Sequence, residues 1–422
     1  MADQTTTIPK GWKETTLEKV VEITSSKRIF ADEYKKSGIP FFRGKEISEK
    51  FSGNKISTEL FISEEKYKDI KNNFGVPEEN DILLTSVGTL GNPYLVEKGL
   101  KFYFKDGNLT WFRNYKDIEP KFLFYWIISP QGKETLSYAK IGSTQEAYTI
   151  AKLKMLPCVI PQAPEQRAIA AVLSSLDDKI ELLREQNKTL EATAQAIFKE
   201  WFVNFNFPGA TGKMIDSELG EIPEGWRVGK IEELTTQMNS GGTPSTKEES
   251  YYNGSINWFS TKELQDNFIF ESEKKITELG LKNSSAKFFP KNTVIMAIYA
   301  APTVGRLGIL AKESTFNQAA VGFAAKNEIG YPFIFLLLKH LRDQLNGLAN
   351  GAAQQNLNVG LVKNFKIIIP DQEILKNFNL IVESVFEKIL NNSFQIQTLS
   401  AIRDTLLPKL MRGEVRVAVF NE

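Results

Sequence analysis

The side chains in this sequence best placed by type for chemistry are suited to recognition and not to bond breaking. Arg28, Arg43, Lys45, Ser86, Thr89, Thr144 and Gln145 fall in the first half of the chain, and Thr243, Ser260, Lys262, Tyr299, Arg306 and Gln354 in the second. Arginine can fork onto guanine, glutamine and asparagine onto adenine, and hydroxyls onto either, while lysine meets phosphates. Taken one at a time, each is an ordinary surface residue. As a set they form two groups of candidate contacts to the edges and backbone of nucleic acid.

The groups needed for catalysis are scarce. One histidine, His340, and one cysteine, Cys158, occur in 422 residues. That excludes zinc sites built from several cysteines, an internal disulfide and hydrolases needing more than one histidine. A single cysteine fits the cytoplasm, and Cys158 sits in an apolar strand pattern as a packed residue. No GxxxxGK[ST] phosphate loop and no GxGxxG cofactor loop is present. Asn92-Pro93-Tyr94 lacks the second proline of an adenine-methyltransferase motif and reads as a turn, and Glu64-Glu65-Lys66 reads as a charged helix face without an upstream partner. The net charge of +1 and pI near 7.6 advertise no strongly basic surface. No apolar run reaches the ~20 residues that span a bilayer, and the first residues lack the pattern of a secretory signal.

Positioning these residues falls to a duplicated architecture. Ile8-Pro9-Lys10-Gly11-Trp12 recurs as Ile222-Pro223-Glu224-Gly225-Trp226. Residues 39–47 answer 256–264, the apolar stretch 81–87 answers 292–298, and Gly142-Ser143-Thr144-Gln145 answers Gly351-Ala352-Ala353-Gln354. Each copy closes with an apolar strand ending in proline, at Pro161 and Pro370. Short β-branched and aromatic runs broken by Gly, Asn and Pro mark each copy as α+β.

A heptad pattern follows each proline. Ile169, Leu176, Leu183, Leu190 and Ile197 repeat every seven residues, with Leu173, Ile180, Asn187, Ala194 and Trp201 between them. The second copy offers Phe378, Val385, Asn392, Leu399 and Leu406, with Val382, Ile389, Ile396, Arg403 and Leu410. Two equivalent helices point to an intramolecular coiled coil whose register Asn187 and Asn392 help to fix, Arg403 reaching water near one end. The expected divisions are a recognition domain at 1–160, a helix at 161–204, a turn-rich linker at 205–221, a second recognition domain at 222–369, a helix at 370–415 and a tail at 416–422.

Two diverged modules on a stiff spacer suit a ligand with two sites at fixed separation, as on double-stranded DNA. A helix of about 38 residues spans roughly 57 Å, or about 17 base pairs. The residues alone leave two other readings open: a protein-binding coiled-coil scaffold, and a self-contained DNA methyltransferase or nuclease, against which the missing cofactor loop counts.

Longer phrases decide among them. DSELGE followed by IPEGW (216–226), GGTPS (241–245), IPQAPEQRAIAAVLSSLDDKIELL (160–183), IFKEWFVNF (197–205) and LLPKLMRGEV (406–415) resemble the specificity subunit of type I restriction-modification enzymes over residues 8–415. The resemblance implies two target-recognition domains, each reading half of a split DNA site, and two long helices packed antiparallel. It further implies no catalytic centre and no cofactor on this chain. Two modification subunits would carry S-adenosylmethionine-dependent adenine methylation, and two restriction subunits would bring ATP, Mg and cleavage, all in the cytoplasm with no membrane partner. The base sequence recognised does not follow from it.

Overall fold

The computed structural model describes residues 8–142, 146–299, 302–350 and 357–418. Thr144, Gln145 and Gln354 lie outside them. The chain forms two compact units, residues 1–180 with 398–422, and residues 181–397. Each therefore takes part of both long helices, α1 (Ala163–Phe202) and α2 (Gln372–Met411), which have 40 residues apiece and a length of about 60 Å.

In the first unit the strand Lys13–Thr16, just after the Ile-Pro-Lys-Gly-Trp turn, pairs antiparallel with Pro157–Ile160 and brings the module's two ends together. A four-stranded antiparallel sheet follows, ordered Glu22–Thr24, Leu109–Arg113, Ile82–Thr85, Pro93–Leu95. A smaller sheet places Ile39–Phe42 between Phe61–Ile62 and Tyr103–Phe104, the last pair parallel. The central strand Ile82–Thr85 is buried at every position, as continuous apolar runs require.

The second unit repeats this plan. Arg227–Lys230 pairs with Lys366–Ile369. Its main sheet runs Thr235–Ser240, Ala320–Ala325, Val294–Ala297, Leu307–Leu310, with a fifth strand, Asn267–Ile269, added parallel at the edge. Its smaller sheet sets Tyr252–Phe259 between Lys274–Ile276 and Thr315–Phe316, again with one parallel pair. The stretch expected to be a turn-rich linker contains a hairpin, Met214–Ser217 with Gly220–Pro223, and Phe205 and Phe207 pack on Trp226 at 5.5 and 5.1 Å. Aromatic anchoring and a tight turn closed by Ser217 Oγ on Gly220 O at 2.6 Å order a segment whose composition reads as loose.

Within each unit the two long helices run antiparallel, the start of one beside the end of the other. In the first unit Ile169, Ala170 and Leu173 share a core with Leu407, Leu410 and Met411. In the second, Ala194, Phe198, Trp201 and Phe202 share one with Phe378, Val382, Phe386 and Ile389. Phe202 meets Phe378 edge-on at 4.8 Å, a favoured aromatic geometry. Of the expected seam residues Ile169, Leu183, Ile389 and Asn392 are buried, and Leu176, Asn187, Leu190, Ile197, Val385, Ile396, Leu399 and Leu406 are half-buried. Phe386 and Leu407 are more deeply buried than Val385 and Leu406, because a 3.6-residue helix drifts from a strict heptad. Asn392 Nδ2 donates to Asn187 Oδ1 at 2.9 Å, and Asn187 Nδ2 to Ser393 Oγ at 3.1 Å. Arg403 does not rely on water: its Nη1 donates to Asp177 Oδ1 at 2.8 Å, and Asp177 also accepts from the Tyr125 hydroxyl at 2.7 Å.

Candidate nucleic-acid interface

Several of the candidate contact residues among those described sit where strands leave the sheets. Arg43 follows the strand Ile39–Phe42 and precedes the helix Gly44–Phe51; its backbone N–H and its guanidinium both donate to the buried Glu46, at 2.8 Å each. That hydrogen bond raises the Arg43 pKa, so the charge is fixed and oriented. Ser260 occupies the same place in the second module, after Phe259, and its N–H and hydroxyl donate to Glu263 Oε2 at 2.7 and 2.8 Å. In both, the carboxylate of a glutamate three residues on accepts from the backbone N–H of the residue before a helical turn, the glutamate half of a capping box. Glu46 and Glu263 were not among the candidate residues, although that spacing is visible in the sequence.

Lys45 is exposed beside Glu49 at 3.7 Å, and Lys262 and Thr89 are exposed. Tyr299 is half-buried against the second core, and Arg306 is half-buried after the left-handed Gly305. Gly142 takes a left-handed backbone, with φ +85°. For Ser86 the structure corrects the expectation. It is 1% exposed, and its hydroxyl is engaged with Leu84 O at 3.1 Å and Thr110 Oγ1 at 2.7 Å, so it holds the sheet together and faces no ligand. Arg28 and Thr243 each bond to a side chain that sequence reasoning missed. Arg28 Nε donates to Asp106 Oδ2 at 2.8 Å, and the Thr243 hydroxyl donates to Gln318 Oε1.

The stretches that superficially resemble catalytic motifs have structural roles. The Asn92 N–H donates to Thr85 Oγ1 at 2.9 Å, and Asn92 leads into the strand Pro93–Leu95. Glu64 and Glu65 open the helix Glu64–Asn73, where Lys66 pairs with Glu33 at 2.7 Å. Burial pushes the Cys158 thiol up to about 12. Partial burial and Lys199 hold His340 below the usual histidine range. Among the described residues no cluster of three or more metal-binding side chains occurs, and no helix is long and apolar enough to cross a membrane.

The duplicated modules match a known domain twice. The family model for the type I restriction modification DNA specificity domain matches residues 9–192 and again 223–397. This chain belongs to that family. The specificity subunit of the type I restriction enzyme MjaIX from Methanocaldococcus jannaschii is similar at 30% identity, over 97% of this chain and 95% of its own length. That of the HindI enzyme from Haemophilus influenzae is 28% identical over 70% and 77%. The crystal structure of the type I restriction-modification S subunit from M. genitalium covers 97% of this chain and 98% of its own, with a TM-score of 0.63 at 18% identity, a likeness of fold. As a specificity subunit, the protein is the non-catalytic DNA-recognition member of its system, and the enzymatic work belongs to other subunits.

Proposed function

We propose that each module of this specificity subunit reads one half of a split, asymmetric DNA site, and that the paired helices set the gap between halves and dock two modification subunits. The observation that carries this reading is the repetition of one sheet plan in which a shared Lys-Glu pair, Lys45-Glu46 and Lys262-Glu263, is preceded by different polar side chains, Arg43 in the first module and Ser260 in the second. A shared scaffold with divergent contacts suits two similar docking events on unlike sequences. The net charge of +1 implies that partners supply much of the phosphate neutralisation and help to enclose the duplex. S-adenosylmethionine would lie on the modification subunits, and ATP and Mg on a pair of restriction subunits, in the cytoplasm.

The test is to express the chain with the modification subunit encoded beside it and map methylated adenines across a plasmid library. The expected product is a two-part motif with a fixed gap, in which exchange of residues 241–351 for those of a relative changes one half alone. A continuous motif, or a change in both halves, would refute independent readers.

A further inference from the structure

Backbone register makes two side-chain pairs equivalent. Ile23 lies opposite Phe112 in the first module's ladder, and Met238 opposite Phe323 in the second. The same number of residues beyond each stand Arg28 and Thr243. On the other side, the Lys105 N–H donates to Phe42 O at 2.9 Å and the Asn317 N–H to Phe259 O at 2.9 Å. The next residues are Asp106 and Gln318. Thus at one place in the fold each module carries a polar side chain braced by another, Arg28 with Asp106 in the first and Gln318 with Thr243 in the second.

Chemistry and exposure say which member faces outward. Arg28 is 67% exposed and Asp106 18%, so the carboxylate is seated and the guanidinium presented. An ion pair this exposed adds little to stability. Its bond at Nε leaves the Nη1 and Nη2 edge for a two-pronged contact, the geometry that matches guanine O6 and N7. Gln318 is exposed, and the Thr243 hydroxyl occupies one lone pair of Oε1. Nε2 and the second lone pair remain, a donor and an acceptor as adenine N7 and N6 require.

Both loops are built to hold position. In the second module Trp258 Nε1 donates to Gly242 O at 2.8 Å and the Tyr252 hydroxyl to Pro244 O at 2.7 Å. A Cβ on Gly241 would stand 2.1 Å from Phe316 O, and one on Gly242 2.2 Å from the Ala286 backbone, so the strand exit packs with no room for a side chain. In the first module the Lys27 N–H donates to the Tyr103 hydroxyl at 2.7 Å and the Gly107 N–H to Ser25 Oγ at 3.4 Å. Rigid support under a polar tip is what base discrimination needs.

We propose that these equivalent pairs are specificity determinants, Arg28 braced by Asp106 reading a guanine in one half-site and Gln318 positioned by Thr243 reading an adenine in the other. The proposal rests on the reading that each module takes one half of a split site. The test uses the complex with its modification subunit and maps methylation over a randomised library for wild type, R28A, Q318A, T243V and T243S. R28A is expected to lower discrimination at one guanine of one half by on the order of 10- to 100-fold, and Q318A at one adenine of the other half by a similar factor. T243V relaxes the same adenine position, and T243S, which keeps the hydroxyl, restores it. Size-exclusion chromatography of each complex confirms assembly, so a loss of preference is read only on intact particles. A split wild-type motif that all variants leave unchanged, or that they weaken at every position alike, overturns the proposal while leaving the two-reader function intact. Absence of a split motif in the wild type overturns the function itself.

Discussion

Asp81 heads the strand Ile82–Thr85, and its Oδ2 accepts from Trp111 Nε1 at 2.8 Å and the Glu78 N–H at 2.9 Å. Burial outweighs those bonds and raises its pKa from 3.8 to about 6. An acid raised in this way keeps its proton in the folded protein where the unfolded chain has released it. Its contribution to stability is full below about pH 4 and is lost as pH rises through about 6. Asp81→Asn keeps an acceptor for both bonds and removes the charge, and is expected to stabilise the first unit by ~1–3 kcal/mol at pH 7 while flattening this pH window. Denaturant melts of both proteins from pH 4 to 7 decide it, and parallel profiles would show that Asp81 is not the titrating group. Burial in a sheet core also sets what was legible at this scale. Residue type singled out Arg28, Arg43 and Thr243 from the sequence, but could not show that Ser86 faces inward, that Asp106 seats Arg28 or that Thr243 braces Gln318. Those facts depend on strands distant in sequence.

The helices are where sequence pattern spoke most plainly, because hardly any structure except a pair of packed helices sustains a two-position apolar stripe over 40 residues. Within the stripe, Asn392 is fully buried and bonded to Asn187, with Asn392 Oδ1 left without a partner among the described residues. Replacing both by leucine should raise the melting temperature while permitting shifted or intermolecular pairing, visible as extra oligomers in light scattering. A more stable protein that stays strictly monomeric would deny the asparagines a role in register. Asp266 marks a second joint. Burial alone would raise its pKa, but the Arg342 hydrogen bond, the Leu307 N–H and Lys339 bring the net value down. Arg342→Met should cost ~1–3 kcal/mol by removing the charge-assisted hydrogen bond and leaving only the Leu307 N–H and Lys339 to answer that carboxylate, measurable as a lower unfolding midpoint. The hairpin at Met214–Pro223 was not legible, since its strands, mostly exposed except at Ile222 and Pro223, carry no apolar alternation strong enough to signal a sheet.

For the whole molecule, duplication was the feature read most fully from sequence, since repeated phrases require no knowledge of contacts. Strand order, the parallel pairs and the fifth edge strand of the second module were beyond it. If the helices set the gap, one heptad inserted after Leu183 and another after Asn392 should lengthen both by ~10 Å and widen the gap by about three base pairs with both halves unchanged. Methylation mapping reads the result, and an unchanged gap would discard the ruler. The division of the chain into units has a consequence in time. Residues 181–397 are continuous in sequence, whereas the core of the other unit is completed by Leu407, Leu410 and Met411. On a ribosome adding about 5–20 residues per second, the first module must wait on the order of ten to forty seconds for those side chains, whereas its successor, which takes Phe378 to Ile389 from the same helix, is completed within a few seconds of its own last strand. Its apolar face stays uncovered for that interval, and slow translation or an early stop codon should therefore expose the first-made part of the protein to chaperones and proteases before the later-made part.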